Sequence, residues 1–151
     1  MRKDMTANDI QIAGKHYKTG YQPWDFMHDM ELGYFEGNIV KYTQRHRTKA
    51  GAADLDKAAH YAQKWIELFE EGRKFQNILA KLCNPHITPS QDYWKGTEKV
   101  KTAVERFTLI NALEPLEYSV ISGVVYASDI RDGYAVLDLL RELRRAAYPN
   151  G

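Results

Sequence analysis

The sequence predicts an all-α protein, a compact helical bundle of about six helices behind a polar N-terminal arm. Three observations carry that expectation. With 151 residues, 44% of them apolar and 27% charged, the chain is long enough for one domain with a real core and too short for two. Apolar residues recur at three- and four-residue spacing along most of its length. The single strand-like run, Val120-Ile121-Ser122-Gly123-Val124-Val125, has flanks that continue a helix more easily than a strand. One domain over 1–151 is therefore expected, with a motif-bearing region at 14–82 and a helical C-terminal extension at 90–148.

Residues 1–15 are polar and aperiodic, an arm that is loose or docks on another subunit. Gly20-Tyr21-Gln22-Pro23 signals a turn, and Pro23 suits a first helical position, where no amide hydrogen is needed. A short helix should run to about Glu31 and stop near Gly33. The next, about 34–47, carries a core stripe of Phe35, Ile39, Tyr42 and His46, with Asn38, Lys41 and Arg45 on a neighbouring face. After a connection at 48–51, Asp54 falls in the first turn of a long helix, where a carboxylate favours the dipole. Leu55, Ala58, Ala62, Trp65 and Phe69 give that helix its apolar stripe, beside a face of Asp54, Lys57, Tyr61 and Lys64. Its pattern persists to Leu82, with Gly72 as a place to kink. Asn84-Pro85-His86-Ile87-Thr88-Pro89 is the clearest break. Three helical patterns follow, at about 91–112, 115–130 and 132–147.

Charge and cysteine usage narrow the function classes. Lys plus Arg total 21 against 20 Asp plus Glu, so no broad basic surface for nucleic acid is expected. Cys83 stands alone, which excludes an intrachain disulfide and a Cys-rich zinc site. The first residues lack the apolar run of a secretory signal, and no stretch nears the ~20 apolar residues of a membrane span. A reduced, cytoplasmic location and no membrane partner are the expectations. There is no Gly-x-x-x-x-Gly-Lys-Ser/Thr loop, no Gly-x-Gly-x-x-Gly and no Gly-x-Ser-x-Gly. A nucleotide would have to be held without the usual phosphate loop.

The strongest chemical signal is charge segregation. Between Gly37 and Ala53 lie Lys41, Arg45, Arg47 and Lys49, and no acid. Asn38, Lys41 and Arg45 project together with Lys49 following, and such a cluster can hold a phosphate. The alternative is a solvated face whose cations simply suit a helix C-terminus. Gly37 would let a helix or a ligand approach the backbone. His16 and Tyr17, near Gly14 and Tyr21, form an aromatic group that can stack on a base or plug the bundle end. His28-Asp29 and the other histidines do not make a metal site, and His46 on the apolar stripe reads as a hydrogen-bonded core residue. The acidic pairs Glu67/Glu70, Glu114/Glu117 and Asp129/Asp132 have the spacing of Mg²⁺ ligands, but read better as helix-surface acids.

These residues, taken as a string, resemble a known family. His16-Tyr17, Gly37-Asn38-Ile39-Val40-Lys41-Tyr42, Arg45, Lys49, Asp54-Leu55-Asp56-Lys57-Ala58 and Tyr61 are similar to the pattern of small phage proteins, formerly a domain of unknown function and now described as phage nucleotide kinases. The resemblance covers residues 14–71. It implies phosphoryl transfer to deoxynucleoside monophosphates without a P-loop, with ATP and Mg²⁺ as donor and cofactor, in a homo-oligomer within the host cytoplasm. Carried over, it makes Lys41, Arg45 and Asp54 the catalytic candidates and His16, Tyr17, Asn38, Lys49 and Lys57 the substrate-binding ones. Asp54 would accept a proton, hold a cation or pair with Arg45. Two departures stand out: His46-Arg47-Thr48 replaces a small Ala-Gly turn, and some eighty residues follow the motif.

Three functions compete on these grounds. One is the nucleoside monophosphate kinase. The second is a non-catalytic protein that sequesters a nucleotide signal of host defence. The third is an interaction protein whose C-terminal helices dock on a target.

Overall fold

Pro23 opens the first helix at the expected place, with Gln22 in extended conformation before it. The computed structural model describes residues 6–10, 12, 20–82 and 98–151, and for 73–82 the backbone. Among the described residues there are six α-helices and no strand, so the protein is all-α. They are α1 (Pro23–Asp29), α2 (Tyr34–Arg45), α3 (Ala52–Leu82), α4 (Glu98–Ile110), α5 (Pro115–Val125) and α6 (Ile130–Ala147). None is long and apolar enough to cross a membrane.

Two helical hairpins form the body. α2 packs along α3, α5 along α6, and the pairs face each other as α2 on α5 and α3 on α6. α1 and α4 close one end, α1 against α2 and α4 against α5. Every helix contributes to one apolar core, from Phe26 of α1 and Ile39 of α2 to Leu55, Phe107, Ile121 and Leu140. Phe26 and Phe107 stack at 4.3 Å, and Tyr21 sits edge-on to both. These three rings fix α1 on α4. Residues beyond α3 thus supply a second layer for the α2–α3 hairpin.

Several helix ends differ from the sequence expectation, each for a local reason. α1 stops at Asp29, because Glu31 adopts a left-handed conformation (φ 51°) and the Leu32 amide turns back to the Met27 carbonyl. Gly33 instead opens α2 as its N-cap, with an ordinary φ of −72°. α2 ends at Arg45, two residues early, and His46–Thr48 tighten into a 3₁₀ turn. α3 runs through Gly72 without interruption. α5 ends at Val125, five residues early, because the Asp129 side chain accepts from the Arg131 and Asp132 amides and starts α6 at Ile130. Cys83, the break at 84–89 and the first residues predicted for α4 lie outside the described residues.

The described part of the arm docks on its own chain. Asn8 donates its side-chain amide to Asp25 at 2.9 Å, and Gln22 donates to the Asn8 carbonyl at 3.0 Å. Residues 7–9 form a short 3₁₀ turn there, capped by the Asp9 carboxylate on the Thr6 amide.

Candidate functional site

The 3₁₀ turn and Gly51 fold the chain back sharply, so the last turn of α2 faces the first turn of α3. This brings Arg45 onto Asp54. Arg45 Nε donates to Asp54 Oδ2 at 3.1 Å and Nη2 to Oδ1 at 3.0 Å, a forked pair. Asp54 is fully buried and Arg45 nearly so. The Ala50 amide adds a longer contact to Asp54 Oδ2 at 3.4 Å. Of the three roles open to Asp54, pairing with Arg45 is the one the geometry displays. Both of its oxygens are engaged, and neither faces solvent.

Arg45 and two lysines gather on one ring. Lys41 Nζ, the Arg45 guanidinium and Lys57 Nζ stand 4.5, 4.6 and 5.5 Å from the centre of Tyr42. Spacing explains the gathering: Lys41 and Arg45 flank Tyr42 on α2, and Lys57 is one turn beyond Asp54 on α3. Asn38 accepts a hydrogen bond from Lys41 at 2.7 Å while donating its own amide to the Tyr34 carbonyl. Lys57 lies 3.9 Å from Asp54, an acid that Arg45 already neutralises. Burial, then the neighbouring Arg45 charge, pushes the Lys41 ammonium below its ordinary range, and Lys49 and Lys57 add to the effect. Lys49 itself is exposed. Among the described residues, the cluster carries more positive charge than its buried carboxylate, Asp54, balances.

Two cavities adjoin the cluster. A cleft of about 610 Å³ lies on the α2–α3 face, between Phe35, Tyr42, Lys57, His60, Tyr61 and Lys64. Tyr61 stacks on Tyr42 at 5.7 Å and meets the Tyr34 hydroxyl at 3.3 Å. That hydrogen bond, with some burial, pushes the Tyr61 phenol up to about 12. The second cavity, about 570 Å³, opens beneath the arm, and Lys41 is part of its wall. Gly37 sits behind it: a Cβ there would stand 3.0 Å from Met27 Sδ, so the close approach that this glycine permits is made by α1.

Of the residues singled out from sequence, Asn38, Lys41, Arg45, Asp54 and Lys57 come together, and Lys49 contributes charge from the rim. His16 and Tyr17 lie outside the described residues. His46 is a buried core histidine. Its Nε2 donates to Glu117 at 2.6 Å and its Nδ1 meets the Tyr148 hydroxyl at 2.8 Å. The acidic pairs have structural partners: Glu67 with Lys64, Glu70 with Tyr134, Glu117 with His46 and Arg47, and Asp129 and Asp132 with the start of α6. His28 and Asp29 are both exposed, and Asp29 accepts from the Tyr21 hydroxyl at 2.6 Å.

A family described only as proteins of unknown function, DUF3310, matches residues 12–63. That is about a third of the chain, and it contains every residue of the cluster. No curated protein and no solved structure matches.

Sequence reasoning placed Tyr42 on the core stripe and so missed it as the ring on which the cations meet. Its position next to Lys41 and three residues before Arg45 was the available signal. Trp24, Met27 and Ile10, which wall the arm cavity, carried none, because their proximity depends on how the arm docks.

Proposed function

We propose that this protein handles a nucleotide, holding its phosphates at the Lys41–Arg45–Lys57 cluster. The observation that carries the proposal is three cations on one tyrosine ring with a single, buried, already paired carboxylate among them. Partly desolvated excess charge of this kind is costly, and a bound anion offsets the cost. Asp54 acts as the positioning residue, holding the guanidinium in a fixed orientation.

The family resemblance points to turnover: a P-loop-less nucleoside monophosphate kinase acting on deoxynucleotides from ATP, as a homo-oligomer in the host cytoplasm. In that reading Lys41 and Arg45 stabilise charge on the transferred phosphoryl group. The nearby carboxylates do not fit a protein-held Mg²⁺, because Asp54 is closed off by Arg45 and Asp56 pairs with Arg144 at 3.1 Å. The second reading, a protein that sequesters a nucleotide signal, is favoured by the same fact. Among the described residues, the carboxylate inside the cluster is consumed in a structural ion pair, leaving binding as what the cluster does best.

One incubation separates them. The protein is mixed with ATP, Mg²⁺ and a panel of ribo- and deoxynucleoside monophosphates, and products are read by chromatography and mass spectrometry. A new diphosphate, missing with Lys41→Ala, establishes the kinase. Nucleotide recovered from the denatured protein without product establishes sequestration. Neither product nor bound nucleotide sinks both.

A further inference from the structure

We infer that the apolar cavity beneath the N-terminal arm seats the base of a nucleoside monophosphate whose phosphate reaches Lys41. The inference rests on the nucleotide reading above and adds where the base goes. Tyr42 is not open to a base: three cations lie over its ring and Tyr61 stacks on it. The cleft beside it is walled by Phe35 and Tyr61 and edged by Lys57, His60 and Lys64, whose cations suit a phosphate.

The arm cavity is the more apolar of the two. Ile10, Pro23, Trp24 and Met27 supply flat and apolar walls, and Lys41 is the cation in its lining. At about 570 Å³ it lies within the range of small-ligand sites, which are mostly apolar with a few placed polar groups. Its outer wall is built in, because Asn8 is held by Asp25 and Gln22. The Trp24 indole is 50% exposed and Ile10 51%, large apolar surfaces that a stacked base would cover. Lys41 joins the two sites: it lines this cavity, and its Nζ lies over Tyr42 in the cluster. A base in one compartment and a phosphate in the other would therefore be joined across a single side chain.

Titration calorimetry on the full chain tests this, with the four deoxynucleoside monophosphates and inorganic phosphate as probes. The expected result is that Trp24→Ala weakens the tightest nucleotide at least tenfold and leaves inorganic phosphate unchanged. Trp24→Phe should restore most of the nucleotide affinity, since it keeps a stacking ring. Lys57→Ala should weaken both probes. Wild-type nucleotide binding that Trp24→Ala does not alter overturns the base seat and leaves the nucleotide reading standing. Failure of all four nucleotides to bind the wild-type protein overturns the base seat, and failure of the ribonucleotides and of recovery from the denatured protein as well overturns the nucleotide reading. A Trp24→Ala protein that does not fold is recognised by its circular dichroism, and Ile10→Asp, on the exposed arm, then takes its place with the same expected loss.

Discussion

Replacing Asp54 with Asn keeps the side chain's shape and removes the charge that Arg45 is built around. The guanidinium would be left nearly buried without its counter-ion, which costs about 3–5 kcal/mol. Asp54→Asn should therefore lower the melting temperature by roughly 10 °C in calorimetry. An unchanged melting temperature with turnover abolished would instead make Asp54 a chemical participant. Lys41 gives a prediction of another kind. Its ammonium is held below the ordinary range in the free protein, burial being the first cause and Arg45 the second. A bound phosphate favours the charged form and raises that value again. Binding should thus take up a proton above the lowered value, and affinity should fall as pH rises from there toward 10.5. Calorimetry in two buffers of different ionisation enthalpy measures the uptake, and proton release on binding would contradict it. At this scale the sequence was most informative for charge. The acid-free interval from Gly37 to Ala53 could be read directly, and pairing with Arg45 was one of three roles open to Asp54, but choosing among them depended on a backbone reversal that no spacing encodes.

The reversal between α2 and α3 is an element in its own right. Gly51 has φ +57°, and its amide donates to the His46 carbonyl at 2.8 Å, closing the loop that sets Arg45 against Asp54. Gly51→Ala would place a Cβ in a left-handed residue and 3.4 Å from the Tyr148 ring, at a cost of about 1–2 kcal/mol. A chemical denaturation curve should show that loss with an unchanged slope, and a neutral result would mean that the turn relaxes freely. Gly37→Ala differs, because the added methyl meets only the flexible end of Met27 at 3.0 Å. Helix propensity favours Ala by up to about 1 kcal/mol, so stability should change by less than that. The displaced Met27 should nonetheless narrow the arm cavity and weaken nucleotide binding in the same titration. Helix existence was legible throughout, since the apolar period and the proline starts are local. Helix ends were less so. Glu31 and Ala112 both take left-handed conformations (φ 51° and 49°) that their side chains do not announce.

The C-terminal layer is coupled to the motif-bearing hairpin through one buried polar network, and this gives the whole molecule its expected response to acid. Glu117 Oε1 accepts from His46, while Oε2 accepts from Arg47 at 2.7 Å and from the Glu114 amide at 2.8 Å. Arg47 also donates to the Ala112 carbonyl, and Tyr148 closes over the far side of the imidazole. The sequence suggested a core histidine at 46 but could not name its partner, which lies 71 residues away on another helix. The role of the long tail was open for the same reason. Burial alone would raise the Glu117 carboxyl, but the His46 hydrogen bond, the Glu114 amide and Arg47 outweigh it and hold it below the ordinary value of 4.5. A carboxyl lowered in the folded state contributes stability that is complete above the unfolded value and lost as pH falls through the folded one. Melting temperature should accordingly decline below about pH 4.5. Glu117→Gln should be less stable at pH 7, because it leaves Arg47 and His46 without their carboxylate, yet lose less of its stability on acidification. Melting curves of both proteins from pH 7 down to 3 decide the matter. Converging acid limbs tie the acid sensitivity to this network, and parallel ones would place it elsewhere in the bundle.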